Sequence, residues 1–313
     1  MNHLLRSCLG LVVLCAAASC LPGQEQSGSA PMAERYGKPY VTVTIAGKGP
    51  FRFIIDTGTG ADAFVSPELA DLLQLPTAGE ALLDDPSRQG SQRVPMVLIP
   101  ELELAGQKFY WIKAVRHEVT GEAGACQGLL GFTLFRDYLL TLDFPHRQVQ
   151  LATGTLEPDG ESTVLSMRSP EGVPITTLRI NGQLVEAQLD SGGGGLTLPA
   201  PMAAHLKWDV DPVVFATGQS MTTRFEIKAA RLAADVTIAR YTFAHPVVEI
   251  HPAFPLVNFG SPPMQSFAIT FDQKSQLVRL NASHDRLTLT APPSPTRLTN
   301  APARKAPPRL VPV

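Results

Sequence analysis

Two short motifs combine an acidic residue with a hydroxyl and a glycine: Asp56-Thr57-Gly58 and Asp190-Ser191-Gly192. Each follows a stretch whose residues predict a strand, Phe53 to Ile55 in the first case and Ala187 to Leu189 in the second. The glycine permits a tight turn that a side chain at that position would obstruct. Both carboxylates are therefore predicted to be held in fixed places, each at the end of a strand.

The two motifs could perform acid–base chemistry if the fold brings them together. Two carboxyl groups in close contact cannot both ionise, so the pair would share one proton. The ionised member could then take a proton from a bound water while the protonated member polarises a carbonyl group. Similar sequences are also common in ordinary turns of β proteins, and this is the competing interpretation of each motif taken alone.

An internal repeat surrounds the motifs. Both copies show the order strand, glycine turn, strand, acidic turn, strand and short helix, over residues 40–73 and 175–206. Downstream, Gly131 precedes Asp143 by 12 residues, and Gly260 precedes Asp272 by 12 residues. The repeat predicts two similar lobes, residues 36–153 and 162–282. Acidic turns at equivalent places in both lobes favour one paired site over two unrelated turns.

The predicted secondary structure is mostly β. Short segments rich in apolar and β-branched residues are separated by Gly, Pro and Asp, and few windows favour a helix. The helix candidates are short and cover residues 67–73, 132–137 and 200–206. The pattern therefore predicts an all-β fold with a small helix in each lobe.

Over residues 36–281 the chain resembles the retropepsin and pepsin-like aspartic peptidases, especially bacterial exported versions that carry two lobes on one chain. The resemblance is carried by the Asp56-Thr57-Gly58 motif, by the Val65 to Ala70 segment (Val-Ser-Pro-Glu-Leu-Ala), and by Leu129-Leu130-Gly131 before the strand that leads to Asp143. It implies the acid-protease fold, in which two similar closed β-barrel-like lobes face each other across a catalytic cleft. It also implies an endopeptidase that acts on extended polypeptides and needs neither a cofactor nor a metal.

The resemblance assigns roles to particular residues. Asp56 and Asp190 would be catalytic, and the hydroxyls of Thr57 and Ser191 would bond across to the opposite turn. The residues that would support the site are Thr57, Gly58, Thr59, Gly131, Ser191, Gly192 and Gly260. A hairpin flap is expected within residues 75–95, with its tip at residues 84–91, where no tyrosine stands.

The second lobe departs from the family pattern in two ways. Asp190-Ser191-Gly192 is followed by Gly193, Gly194 and Gly195, so the hydroxyl that Thr59 supplies in the first lobe is missing. Asn258 also stands where the pattern has an apolar residue. A noncatalytic exported protein that binds peptides in a degenerate peptidase fold is therefore the alternative function.

The two ends of the chain differ from the lobes in composition. Residues 1–20 carry one positive charge and a short apolar run, which predicts an export signal, and Cys20 follows small residues as in a bacterial lipoprotein processing site. Export to the periplasm and lipid anchoring to an envelope membrane through Cys20 both remain open. Residues 21–35 are predicted to form a flexible tether, and the Pro-rich residues 291–313 a disordered tail.

Composition and spacing exclude several other function classes. The 26 basic and 28 acidic residues give a formal charge of −2, which does not favour nucleic-acid binding. The histidines show no metal-ligand spacing, and Cys126 has no activating neighbour in sequence, so neither a zinc site nor a thiol nucleophile is predicted. Because one chain carries both aspartates, a monomer is expected.

Overall fold

The computed structural model describes residues 27–35, 37–84, 91–119, 126–219 and 224–290. This part of the chain is mostly β-strand, which confirms the predicted all-β fold class. The strands form three sheets: an eight-stranded sheet in the first lobe, a ten-stranded sheet in the second, and a six-stranded sheet that contains strands from both.

The eight-stranded sheet has the order β2-β3-β4-β9-β5-β8-β7-β6. The strands of the amino-terminal half are β1 Ser27–Pro31, β2 Ala33–Arg35, β3 Lys38–Ile45, β4 Lys48–Asp56, β5 Ala63–Val65, β6 Thr77–Asp84, β7 Ser91–Leu104, β8 Gln107–Arg116, β9 Gly128–Gly131, β10 Leu139–Asp143 and β11 Gln148–Ala152. Strand β3 also pairs with β7, opposite Leu102 and Glu103, so six of the strands close into a barrel.

The ten-stranded sheet has the order β16-β17-β20-β15-β21-β14-β13-β18-β19-β24. The strands of the carboxyl-terminal half are β12 Val164–Ser166, β13 Ile175–Ile180, β14 Gln183–Asp190, β15 Leu196–Pro199, β16 Trp208–Gln219, β17 Arg224–Leu232, β18 Val236–Ile238, β19 Tyr241–Phe243, β20 Val247–His251, β21 Val257–Gly260, β22 Ala268–Asp272, β23 Leu277–Asn281 and β24 Arg286–Leu287. In the second lobe, β17 and the following β18 together occupy the place that the long strand β7 has in the first lobe. In the same way, β19 and the following β20 together occupy the place of β8. Pro246, which has no N–H group to donate, stands at the second interruption.

The six-stranded sheet joins the lobes in the order β1-β11-β10-β22-β23-β12. Its central pair is β10 with β22, where Leu140 lies opposite Phe271 and Leu142 opposite Ile269. All four side chains are fully buried. The equal spacing from Gly131 to Asp143 and from Gly260 to Asp272 therefore reflects two equivalent strands that meet at the centre of the molecule.

The expected tether over residues 21–35 is wrong for its second part. Residues 27–31 form β1, which pairs with β11 from Ser27 opposite Ala152 to Pro31 opposite Gln148, and residues 33–35 form β2. Met32 between them is buried in the core. Sequence composition missed these strands because an edge strand is held by main-chain hydrogen bonds, which need few apolar side chains.

The helices are short, as predicted. Helix α1 spans Pro67–Leu73, and the Ser66 hydroxyl caps it by accepting from the Leu69 N–H group at 3.2 Å. Helix α2 spans Ala200–Ala203, shorter than expected, and α3 spans Ser261–Met264, which was not predicted. The window at 132–137 forms a 3₁₀ turn over Phe132–Phe135 at the position in the first lobe that α3 occupies in the second. A further 3₁₀ turn covers Pro170–Gly172.

Candidate active site

Asp56 and Asp190 are the last residues of strands β4 and β14. Each strand runs parallel to a neighbour that ends in glycine, so that Asp56 pairs with Gly131 and Asp190 pairs with Gly260. Glycine is needed there because the adjoining turn passes very close: a Cβ atom on Gly131 would lie 1.8 Å from the Ala61 carbonyl oxygen. Equivalent packing in the two lobes thus sets the position of each aspartate.

Four hydrogen bonds made by the hydroxyl groups of Thr57 and Ser191 connect the two acidic turns. The Thr57 hydroxyl donates to the Leu189 carbonyl at 2.8 Å and accepts from the Ser191 N–H group at 2.9 Å. The Ser191 hydroxyl donates to the Ile55 carbonyl at 2.7 Å and accepts from the Thr57 N–H group at 3.0 Å. Both side chains are fully buried. Each hydroxyl therefore bonds to backbone groups of the opposite lobe.

The structure brings the two carboxylates together, each against the opposite turn. A Cβ atom on Gly58 would lie 2.4 Å from the Asp190 carboxyl carbon, and one on Gly192 would lie 2.4 Å from that of Asp56. Within each turn the Gly58 N–H group donates to Asp56 at 3.0 Å, and the Gly192 N–H group donates to Asp190 at 3.0 Å. Any side chain at either glycine would displace a carboxylate, so both glycines serve the geometry of the pair.

The environment of Asp56 favours its protonated form. The pKa of Asp56 is raised to about 7, mainly by burial and further by the charge of Asp190 and a hydrogen bond with its side chain. The charge of Lys38 and the Gly58 N–H group lower this pKa, but by less. Asp56 therefore keeps a proton at pH values where an ordinary aspartate has lost it.

Lys38 is a site residue that no sequence motif indicated. It is the first residue of β3, and its ammonium group donates to the Gly192 carbonyl oxygen in the opposite lobe. Its positive charge also acts on Asp56 and on Glu249. The pairing of β3 with β4 could have indicated Lys38, because Tyr40 lies opposite Ile54 and the same register brings Lys38 towards the acidic turn. A lysine at the start of a strand, however, is usually taken to be exposed to solvent.

Asn258 contacts one of the two aspartates directly. Its side-chain amide Nδ2 donates to Asp190 Oδ2 at 2.7 Å, and the residue is 2% exposed. From sequence alone, Asn258 is a departure from the family pattern that suggests a degenerate second lobe. The structure instead makes it a hydrogen-bond donor to one of the two aspartates.

The run of glycines after Gly192 makes room for polar side chains. A Cβ atom on Gly193 would lie 2.7 Å from Asp190 and 2.8 Å from the Asn258 amide nitrogen, and one on Gly195 would lie 2.7 Å from the Glu249 carboxyl carbon. Glu249 is buried, and burial raises its pKa, while the Thr197 hydroxyl, which donates to it at 3.2 Å, and the charge of Lys38 lower it. The absence of side chains at these glycines is therefore required for the polar side chains to take their positions in the site.

Thr59 contributes through its backbone. Its N–H group donates to the Asp56 carbonyl at 3.3 Å, and its own carbonyl accepts from the Phe132 N–H group at 3.3 Å. Gly193 makes the first of these contacts in the second lobe, donating to the Asp190 carbonyl at 2.9 Å. The missing hydroxyl at residue 193 thus leaves the turn itself intact.

Each lobe extends one long hairpin. Strands β6 and β7 pair from Thr77 opposite Val97 to Asp84 opposite Ser91, which agrees with the expected flap, although residues 85–90 of its tip lie outside the described residues. Strands β16 and β17 form the corresponding hairpin of the second lobe, which the sequence did not predict.

The cysteines, histidines and helices of the described residues form no further site. Cys126 is a free, half-buried cysteine, and burial raises the pKa of its thiol. No three His, Cys, Asp or Glu side chains in the described ranges are grouped so that they could hold a metal ion. Cys20 lies outside these ranges, and within them no helix has the length and apolar character needed to cross a bilayer.

Comparison with protein families gives a match in the first lobe. The family model described as aspartyl protease matches residues 41–134, which run from β3 through Asp56 and β9 to the 3₁₀ turn. A search of the curated proteins found no match. The matched segment contains one of the two aspartates, and the other lies at the equivalent place in the second lobe. In its first lobe, this chain is therefore similar to the aspartyl proteases.

Proposed function

We propose that this protein is an exported aspartic endopeptidase that hydrolyses peptide bonds in extended polypeptides. The observation that carries the proposal is the crossed arrangement of the carboxylates, with Asp56 against Gly192 and Asp190 against Gly58. The fully buried hydroxyls of the two turns restrict the positions of both groups, as chemistry on a shared proton requires. The similarity of the first lobe to aspartyl proteases supports the same reaction.

One proton on the pair is enough for the whole reaction. A water between the carboxyl groups passes a proton to the ionised one while its oxygen bonds to the peptide carbonyl carbon, and the protonated carboxyl gives its proton to the carbonyl oxygen. The first carboxyl then protonates the amide nitrogen as the second removes a proton from a hydroxyl of the intermediate. The C–N bond breaks, its electron pair leaves with the amine, and the pair again holds one proton.

The two hairpins support an extended polypeptide as the substrate. An extended chain can pair its main-chain groups with strands that border a cleft, and such pairing does not depend on substrate side chains. Both aspartates lie on one chain, so the proposed active form is a monomer. The contact between Asn258 and Asp190 argues against the alternative of a noncatalytic peptide-binding protein, because the second lobe retains a specific partner for its aspartate.

The proposed location is outside the cytoplasm. Residues 1–20 have the composition of an export signal, and Cys20 is the residue at which a lipid would be attached. The proposal includes both a free periplasmic form and a form anchored to a bacterial envelope membrane by this lipid.

Peptide cleavage is expected to be fastest at acidic pH and to decline as the pH rises through about 7. The reaction needs a proton on the pair, and the raised pKa of Asp56 keeps that proton bound below this value and releases it above. The test is digestion of a peptide library from about pH 4 to about pH 9, with kcat/KM measured at each pH and cleavage sites identified by mass spectrometry. Absence of cleavage at every pH, or activity that keeps rising through alkaline pH, would contradict the proposal.

Replacing Lys38 with Met is expected to move the alkaline limb of this pH profile upwards by about one pH unit. The positive charge of Lys38 lowers the pKa of Asp56, so its removal makes the Asp56 proton harder to lose. Lys48→Met is the matched control, because Lys48 is exposed at the start of β4. A downward shift in Lys38→Met, or the same shift in both variants, would show that Lys38 does not act on the pair.

A further inference from the structure

The second lobe carries a buried polar cluster where the first lobe is apolar. Thr197 pairs with Asn258 on one side and with Glu249 on the other, and all three residues are buried. In the first lobe the equivalent strands pair Phe64 with Leu129 and with Val115. The duplicated lobes therefore differ in chemistry directly beside the aspartates.

Glycine residues leave the space that this cluster occupies. A Cβ atom on Gly193 would lie 2.8 Å from the Asn258 amide nitrogen, and one on Gly195 would lie 2.7 Å from the Glu249 carboxyl carbon, so a side chain at either position would collide with the cluster. The corresponding turn of the first lobe carries Thr59, whose methyl group would lie 2.8 Å from a Cβ atom on Gly131. The glycines and Asn258 thus form one arrangement that only the second lobe contains.

The two aspartates receive different numbers of hydrogen bonds from the surrounding protein. Asp190 accepts from the Gly192 N–H group at one oxygen and from the Asn258 amide at the other. Asp56 accepts from the Gly58 N–H group at one oxygen. Leu129, which stands where Asn258 stands in the second lobe, has no group that could donate to Asp56. A carboxylate with donors at both oxygens is stabilised in its ionised form.

The orientation of the Asn258 amide supports the same assignment. Asn258 Oδ1 is buried and has no hydrogen-bond partner among the described residues, whereas Nδ2 lies 2.7 Å from Asp190. Turning the amide over would bring its oxygen towards an ionised carboxylate, which is repulsive. The amide therefore faces Asp190 as a donor even though its oxygen remains unpaired.

The charged groups that face the pair do not reverse this difference. Lys38, from β3, lowers the pKa of Asp56, but burial and Asp190 outweigh it. Glu249, from β20, accepts a hydrogen bond from the Thr197 hydroxyl; burial raises its pKa, while that hydrogen bond and the charge of Lys38 lower it.

We infer that Asn258 is a positioning residue that makes the two aspartates inequivalent. It holds Asp190 as the ionised member, which takes the proton from water, and leaves Asp56 as the member that carries the shared proton to the substrate carbonyl. This inference rests on the proposed function for its catalytic meaning, but the place of the proton is a property of the free protein and can be measured without a substrate.

The test compares Asn258→Leu, which copies the first lobe, with Asn258→Ala, which adds no bulk, and with the control Ser261→Ala. Ser261 is a suitable control because its buried hydroxyl has no partner among the described residues. In both Asn258 variants we expect kcat to fall by about 10-fold to 100-fold with little change in KM, and the acidic limb of the pH profile to move towards neutral pH. Ser261→Ala should keep the profile of the unmodified protein.

Carbon-13 NMR of the aspartate carboxyl carbons locates the proton directly, with the two signals assigned by their loss in Asp56→Asn and Asp190→Asn. Near pH 5.5 the Asp56 signal is expected at the protonated position and the Asp190 signal at the ionised position, a difference that should shrink in both Asn258 variants. Equal signals in the unmodified protein, or no change on replacing Asn258, would overturn the inference even if peptides are cleaved. Unequal signals in a protein that cleaves no peptide would instead contradict the proposed function.

Discussion

Replacing Asp56 with Asn, or Asp190 with Asn, is expected to lower kcat/KM for peptide cleavage by at least about 1,000-fold. A neutral amide can neither take the proton from water nor carry the shared proton, and the two groups act as one unit. Loss of either should therefore cost nearly as much as loss of both. The double variant is accordingly expected to be little slower than each single variant.

Asp71→Asn is the matched control for these variants. Asp71 is exposed on α1, outside both acidic turns, and pairs with Arg116 at 2.8 Å. Its kcat/KM should remain within about two-fold of the unmodified protein, because exposed ion pairs contribute little to stability. A single aspartate variant that cleaved peptides as well as this control would rule out a shared pair.

The Asp56 variant also has an expected effect on stability that does not depend on activity. Because the folded state raises the pKa of Asp56 to about 7, the stabilisation from proton binding is complete below the ordinary pKa of 3.8 and is lost as the pH rises towards 7. Denaturant unfolding should show that Asp56→Asn gains stability relative to the unmodified protein over this interval, by up to about 1.4 kcal/mol per pH unit.

Replacing Thr57 with Val is expected to destabilise the protein and to reduce activity further than the loss of stability explains. The change leaves the buried Leu189 carbonyl and Ser191 N–H group without their partner, and each unpaired group costs about 1–3 kcal/mol. For a chain of this size the melting temperature should fall by about 5–10 °C. Below that temperature kcat should still fall by about 10-fold or more, because the carboxylates lose their fixed positions.

Ser191→Ala removes the equivalent hydroxyl of the other lobe, so the two changes form a double-mutant cycle. The bonds of Thr57 and Ser191 share one buried network, and the combined loss of stability should be smaller than the two single losses added together. Ser66→Ala serves as the control, since it removes the cap of α1 and should lower stability by about 1 kcal/mol without the loss of kcat. Additive effects of Thr57 and Ser191 would mean that the two turns are not coupled.

Several elements of the fold could be predicted from local patterns. The acidic turns at Asp56 and Asp190 were recognisable because a strand, a hydroxyl and a glycine are adjacent in the chain, and the repeat placed them at equivalent positions. Helix α1 was predicted with the bounds that the structure gives, because Ser66 and Pro67 are local start signals. The edge strand β1 was missed because its stability comes from pairing with β11, more than 100 residues later in the chain.

The site itself needed the tertiary structure. Lys38 donates to the opposite lobe, Asn258 donates to Asp190 from a neighbouring strand, and Glu249 lies against Gly195 just beyond the second acidic turn. Lys38 and Glu249 lie in no motif. From sequence, Asn258 and the glycines after Gly192 indicated a weakened second lobe, whereas their contacts make them part of that lobe's site.

Local patterns are enough to predict the all-β class, the duplication and the two Asp-hydroxyl-Gly turns, because strands and turns are encoded by residues that are neighbours in the chain. The crossing of each carboxylate over the opposite glycine, and the donor that Asp190 has and Asp56 lacks, emerge only when the chain is folded. A hydrogen bond or a charge acts over a few ångströms in space, whereas 68 residues of chain separate Asn258 from the carboxylate that it contacts.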